Sequence, residues 1–391
     1  HKSWPAQGAA ARDPDLYGRA RFGHMLLGGA WDFDVLFILE DHFTVSQELS
    51  PGEQFMPTVL RLARQQVAEG KRKPFRVIQY VPVDCERMAA SWINWMPELV
   101  DVVVAYTEFG KDAMVKVCPE LEKKLQVIHH GTSPETFHPV APGDRAAFRE
   151  KILGVDAKTP LLLNVNRNQP RKDIPASLCV LKALRERPGY ENARIILHMN
   201  MADTMGFNLG QVRENLGLPV DCVMFPGNFS EGIGIPPEEL NLVYNAADVF
   251  ITTSRGEGWG LTITEAMCAG LPVVAPDHTS HREILGDGRG KLVPCKAVSF
   301  LLSDNNYPRP VADIEGMVNA VIEALNPASN LMTRKAMEWA LERTWEKHIV
   351  PQWAEIFRGE IKKPVRHPQA VSPVMKAVEW PQGPTDKGFS L

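Results

Sequence analysis

Short runs of apolar and β-branched residues recur along this chain, with longer amphipathic segments between them. That alternation restricts the available folds more than any other feature. "FDVLFIL" (33–39), "FRVIQYV" (75–81), "VDVVVAY" (100–106) and "KLQVIH" (124–129) read as strands, and 53–69 and 110–118 as helices. The theme restarts with "PLLLNVN" (160–166), "ARIILHM" (193–199), "CVMFPG" (222–227), "DVFITT" (248–253) and "LPVVAP" (271–276). Helical patterns at 176–187, 237–247 and 262–269 separate these runs. Strands joined by helices run parallel, with helices on both faces of the sheet. The expected fold class is therefore α/β, with two doubly wound, Rossmann-like parallel-sheet domains.

The alternation breaks at "HGTSPETFHPVAPGD" (130–144), which is rich in Pro, Gly, Ser and Thr and reads as an interdomain link. This predicts domains at 1–140 and 141–345, followed by a return helix and Pro-rich tail at 346–391. A length of 391 residues is enough for two or three cores. After about residue 311 the pattern is purely helical until the aperiodic tail. No internal repeat has a fixed period.

Composition narrows the function classes. A net charge of −4 gives no global attraction to nucleic acid or anionic membrane. No apolar run reaches the roughly 18 residues that span a bilayer. The six cysteines form no CxxC pair, so reduced thiols in a cytoplasmic protein are expected (host cytoplasm if the protein is viral). The start, "HKSWPAQGAA", is neither an initiator Met nor a signal peptide, so the true N-terminus is expected upstream.

Two turns carry chemistry. "DVFITTSRGEGWGLTITEAM" runs strand, glycine turn, helix. Glycines at a strand's carboxyl end let backbone approach a ligand, and the helix N-terminus suits a phosphate. Glu257 and Glu265 would repel an anion but accept hydrogen bonds from hydroxyls. Together these groups suit a nucleotide carrying a sugar. The plainer alternative is that Thr262 and Glu265 form a capping box and the glycines only a tight turn. The second turn, "LLLNVNRNQPRKD", places Arg167, Arg171 and Lys172 at a strand end ahead of a helix. Such cations suit a diphosphate, or else a solvated turn.

These residues carry a resemblance. "EGWGLTITEAMCAGLPVV" resembles the E-x7-E signature of retaining GT-B glycosyltransferases similar to glycosyltransferase family 4, with Trp259 in place of a Phe. Arg167 and Lys172 match that family's R-x4-K spacing, in the right order. "IHHGTSPETFHP" (128–139) is similar to its hGvD-x-x-F-x-P segment, with Thr132 in place of the usual Val and Ser133 in place of the usual Asp, and "ERTWEKHIVPQW" to its last long helix. The resemblance covers roughly 100–355 and implies the GT-B fold, two domains facing a central cleft. It implies an acceptor-side first domain and a donor-binding second one. It assigns Glu265 to the ribose hydroxyls and Glu257 to the donor sugar, with Gly258, Gly260, Leu261 and Thr262 meeting sugar or diphosphate. Arg167 and Lys172 would stabilise the leaving diphosphate without a metal, beside Asn168 and Arg171. Phe229 would lie near the base, within "FPGNFSEG".

In the first domain Asp41 and His42 follow a strand end and are candidate catalytic residues. A capping Asp and a surface His are the alternative. Asp84 follows the next strand, and Thr107 reads as a helix cap. The family's opening strand and glycine-rich loop have no counterpart here, so a first β–α unit is expected to be missing. The implied reaction moves a hexose or pentose from a UDP- or GDP-sugar to an acceptor hydroxyl, with no cofactor required. The acceptor is left open between a glycan, a small molecule and a hydroxymethylated DNA base. The last comes from a similarity of "NRNQPRKD" and "GEGWGL" to bacteriophage glycosyltransferases. A nucleotide-sugar epimerase and a non-catalytic sugar-nucleotide module are the other classes. The sequence sets no oligomeric state.

Overall fold

The computed structural model describes residues 19–28, 33–41, 46, 48–50, 53–201, 203–225, 234–301 and 307–359. The chain divides into two compact units, residues 1–36, 47–76 and 360–391 in the first and 37–46 and 77–359 in the second.

In the first unit, helices Arg19–Leu27 and Phe55–Ala68 pack together, and Phe55, Val59, Leu60 and Ala63 are buried along one face of the second. The Arg72 guanidinium lies over the Phe33 and Phe75 rings and donates to the Leu26 carbonyl at 2.8 Å. A short hairpin, Glu48–Ser50 with Glu53–Gln54, precedes the second helix.

Strands β1 (Val35–Leu39), β2 (Arg76–Val81), β3 (Val102–Ala105) and β4 (Leu125–Val127) make a sheet in that order, with β2–β3 and β3–β4 parallel. The division between units cuts through β1 and falls within β2. Helix Glu108–Val117 follows β3. Thr107 caps it as expected, its hydroxyl accepting from the Gly110 N–H at 3.0 Å.

The second sheet lies wholly in the second unit. It comprises β5 (Leu161–Val165), β6 (Arg194–His198), β7 (Val223–Met224), β8 (Val249–Ile251), β9 (Val273–Pro276) and β10 (Lys291–Val293). All five pairings are parallel and the order is β7-β6-β5-β8-β9-β10. Strand periodicity sends Leu162, Ile195, Leu197 and Ile251 into one core, with helices Ile174–Arg185 and Ile314–Ala324. Leu161, Leu163, Ile196 and Phe250 enter the other, with helix Leu261–Cys268. Both faces are thus covered, which is why these strands read as continuous apolar runs.

The α/β class and alternation are as the sequence implies. Among the described residues five strands have no counterpart among the expected elements: the short hairpin Glu48–Ser50 with Glu53–Gln54, β10, and an antiparallel hairpin, β11 (Ala297–Phe300) with β12 (Pro308–Val311). The helical end is also interrupted. After Asn330–Leu341 the chain turns extended at Thr344, which bridges to Thr132, and helix Val350–Arg358 follows.

Candidate active site

In the second sheet the crossovers from β5 and from β8 lead to opposite sides, although the two strands are neighbours. The crevice beyond their carboxyl ends is where an open parallel sheet offers room to a ligand. Both motif-bearing turns, 166–173 and 252–260, lie there. They are bound to each other. Arg255 N–H donates to the Arg171 carbonyl at 2.8 Å, and its guanidinium reaches Asp173 Oδ2 from Nε and Nη2 at 2.9 and 2.8 Å. Thr253 Oγ1 donates to the Asp173 carbonyl at 2.8 Å. Asp173 is left-handed, with φ 48°, and ends the 3₁₀ turn Pro170–Lys172 that aims Arg171 and Lys172.

The charges converge on Glu257. Lys172 Nζ pairs with its Oε1, and Arg171 Nη1 lies 3.6 Å from its Oε2. Arg171 also donates to the Gly256 carbonyl, and its Nε is 3.2 Å from Asp84 Oδ2. Burial alone would raise the Glu257 pKa, but Lys172 and Arg171 overcome it and hold the carboxylate well below its usual range. Asp41 is placed near Asp84 and Arg171. Burial, then the charges of Asp84 and Glu40, push its pKa up to about 6 against the pull of Arg171.

The Glu257 backbone is positioned through a buried relay. His278 Nε2 donates to the Ser254 carbonyl at 2.8 Å, which leaves Nδ1 as acceptor for the Thr279 hydroxyl at 3.0 Å. That hydroxyl in turn accepts from the Glu257 N–H at 3.2 Å. Thr279 holds φ 42°, strained for a β-branched residue. Burial, with His281 alongside, lowers the His278 pKa to about 3, so the ring stays neutral.

Helix Leu261–Cys268 begins differently from a capping box. Its N-cap is Gly260 at φ 119°, with no side-chain cap, and Thr262 is already inside the first turn. Glu265 accepts instead from the Tyr244 hydroxyl at 2.6 Å. Burial pushes its pKa up to about 7, opposed by that bond. The capping-box alternative therefore fails, because the helix starts two residues earlier than it would with Thr262 as its cap. The three glycines also differ in purpose. Only Gly260 needs a positive φ. A Cβ on Gly256 would overlap the Asp84 carbonyl and the Arg309 guanidinium, and one on Gly258 would sit 3.1 Å from Pro82 Cβ. The turn thus closes against the loop after β2, and Gly256 and Gly258 lie where it does so. Trp259 is buried against His129 and Trp339, with ring centroids at 5.0 and 6.2 Å. Leu261 is exposed.

Other expected site residues are placed elsewhere. Arg167 pairs with Asp203, its Nε 2.5 Å from Oδ2. Asn168 is fully buried. Its amide donates to the Phe207 carbonyl at 2.8 Å and accepts from the Phe207 N–H at 3.1 Å, so the side chain is occupied in holding that turn. His42 and Phe229 lie outside the described residues. Asp84, Tyr244, His278, Thr279 and Arg309 are members of the cluster that motif reading left out of the site. Of these only Asp84 carried a signal, its place after a strand end. Among the described residues no group of three His, Cys, Asp or Glu side chains converges as a metal site, and no helix is long and apolar enough to cross a membrane.

Residues 146–303 match the family described as "Glycosyl transferases group 1". D-inositol 3-phosphate glycosyltransferase of Segniliparus rotundus is 30% identical over 45% of this chain and 36% of its own length. Alpha-maltose-1-phosphate synthase of Mycolicibacterium smegmatis is 26% identical over 69% of this chain and 66% of its own. The chain thus spans less than two thirds of either relative. The crystal structure of Anabaena HepE in complex with UDP-glucose superposes with a TM-score of 0.61, at 17% identity, over 87% of this chain and 81% of that one. The fold is α/β and of the GT-B type.

Proposed function

We propose that this protein is a retaining glycosyltransferase that moves a sugar from a nucleotide-diphosphate sugar to an acceptor hydroxyl without a metal ion. The observation that carries the reading is the convergence of Arg171 and Lys172 on Glu257 at the sheet's switch point. Half-buried cations fixed before substrate arrives stabilise charge developing on a leaving diphosphate with little reorganisation. In this reading Arg171 and Lys172 meet the diphosphate together with the N-terminus of helix Leu261–Cys268, and Arg167 joins them from Asp203. Glu257 faces the donor sugar. Glu265, held by Tyr244, receives the ribose hydroxyls, and Asp41 faces the acceptor side. A UDP-sugar is the first donor to test, since HepE is seen with UDP-glucose. The named relatives point to a small sugar or polyol phosphate as acceptor before a modified DNA base.

The test is a thermal-shift panel of UDP, GDP and their glucose and mannose conjugates, followed by release of nucleoside diphosphate with and without inositol phosphates. A ligand at 100 times its Kd adds about 2.7 kcal/mol, an upward shift of several degrees for a unit of this size. Glu265→Ala should abolish the shift. If no nucleoside diphosphate shifts the unaltered protein, the reading fails. Sugar epimerised without acceptor would favour a nucleotide-sugar epimerase instead.

A further inference from the structure

The hairpin β11–β12 faces the wrong way for an ordinary surface ribbon. Val298 and Phe300 point outward, each 63% exposed, while Arg309 points inward and is 3% exposed. Ser299 and Arg309 are register partners, so they occupy one face of the ribbon. That face meets the site. Ser299 Oγ accepts from Arg255, the residue that binds the two turns together. Arg309 Nη2 lies 3.1 Å from Asp84 Oδ1, and its Nη1 donates to the Asp84 carbonyl. Tyr307 packs edge-on against Trp92 at 5.2 Å, anchoring the ribbon to the segment after β2. Asp84 uses its other oxygen for Arg171. A continuous chain of charges therefore runs Arg309, Asp84, Arg171, Glu257, Lys172.

We propose that Arg309 is a positioning residue: by holding one oxygen and the carbonyl of Asp84, it sets how far Asp84 can draw Arg171 away from Glu257. The inference rests on the proposed glycosyl transfer and adds a residue that lies beyond the matched segment 146–303. Without Arg309, both Asp84 oxygens turn to Arg171 and shift its guanidinium from the position that meets charge developing in the transition state, while Lys172 and the helix N-terminus still hold the diphosphate. An arginine is needed, because only its planar fork reaches carbonyl and carboxylate at once.

The experiment measures kcat and KM for UDP release from UDP-glucose, with UDP affinity by calorimetry and Tm for each variant. Arg309→Met should lower kcat by about 10²-fold, the scale of a small misplacement, with UDP affinity within about threefold. Arg309→Lys should recover part of kcat. Asp84→Asn should lower kcat too, and the double variant should lose no more than the worse single, since both act through one contact. Phe300→Ser, on the outer face, should match the unaltered protein. Multiplying losses in the double variant, full activity in Arg309→Lys, or UDP affinity falling in step with kcat would each overturn the inference. If Arg309→Met does not fold, Arg309→Lys and the Asp84→Asn pairing decide. If the unaltered protein neither binds UDP nor GDP nor releases either, the glycosyltransferase reading fails, and the role of Arg309 with it.

Discussion

Glu257 and Glu265 are both buried carboxyls in one motif, yet their surroundings drive them apart. Glu257 has two cations and stays ionised; Glu265 has a phenol and is half neutral near pH 7. The consequence for stability follows from proton linkage. A carboxyl raised from about 4.5 to about 7 binds more protons in the folded state between those values, so the contribution of Glu265 to stability is full below pH 4.5 and is lost as pH rises through 7. Glu265→Gln removes that dependence. Its stability advantage over the unaltered protein, from urea unfolding at pH 5, 6, 7 and 8, should grow with pH and level off above 7. A difference independent of pH would mean that Glu265 is not held in this raised state. At this scale the sequence places Glu257 and Glu265 in one glycine turn and Arg171 and Lys172 in one basic turn, and the fold brings Arg171 and Lys172 to Glu257. The place of Asn168 is not legible there, because a buried amide and a ligand-facing one look alike in sequence.

Among elements, the glycine turn and the loop after β2 define the site by touching. Gly256 leaves the space that the Asp84 carbonyl and Arg309 fill. Gly256→Ala must therefore displace backbone, and should cost about 1–3 kcal/mol and weaken UDP binding by at least tenfold. Gly143→Ala, where a Cβ meets nothing within 4 Å, should leave Tm and UDP binding unchanged. Equal effects of the two, by calorimetry, would show that the close approach at Gly256 is unimportant. The hairpin itself was not foreseen. Its strands are four residues each, and Pro308 and Pro310 in the second remove the usual strand signal. Thr107, by contrast, was identified as a cap because capping chemistry is local.

Within the second unit, the segment that follows β4 is tied to the helical end of the chain through Thr132. Thr132 N–H and its carbonyl bond to Arg343 and Trp345, and its hydroxyl donates to the Ala340 carbonyl at 2.6 Å. Gly131 lies under Trp345, whose ring and Cα would collide with any Cβ there. Gly131→Ala should loosen this tie while leaving the second sheet intact. Hydrogen exchange should then quicken at Thr132–Phe137 and Val350–Arg358 while β5, β8 and β9 keep their protection. Uniform loss across all of these would show that the tie has no local character.

What the sequence determined by itself was the alternation of strand and helix, the parallel sheets it requires, and the two turns that carry charge and glycine. These follow from period and from local backbone chemistry. The tertiary structure alone decided which cation faces Glu257. Arg167 and Arg171 end the same strand, four residues apart, and either suits a diphosphate. Asp203 takes one, while Glu257 and Asp84 take the other, and those partners come from distant segments that only the folded sheet order brings together.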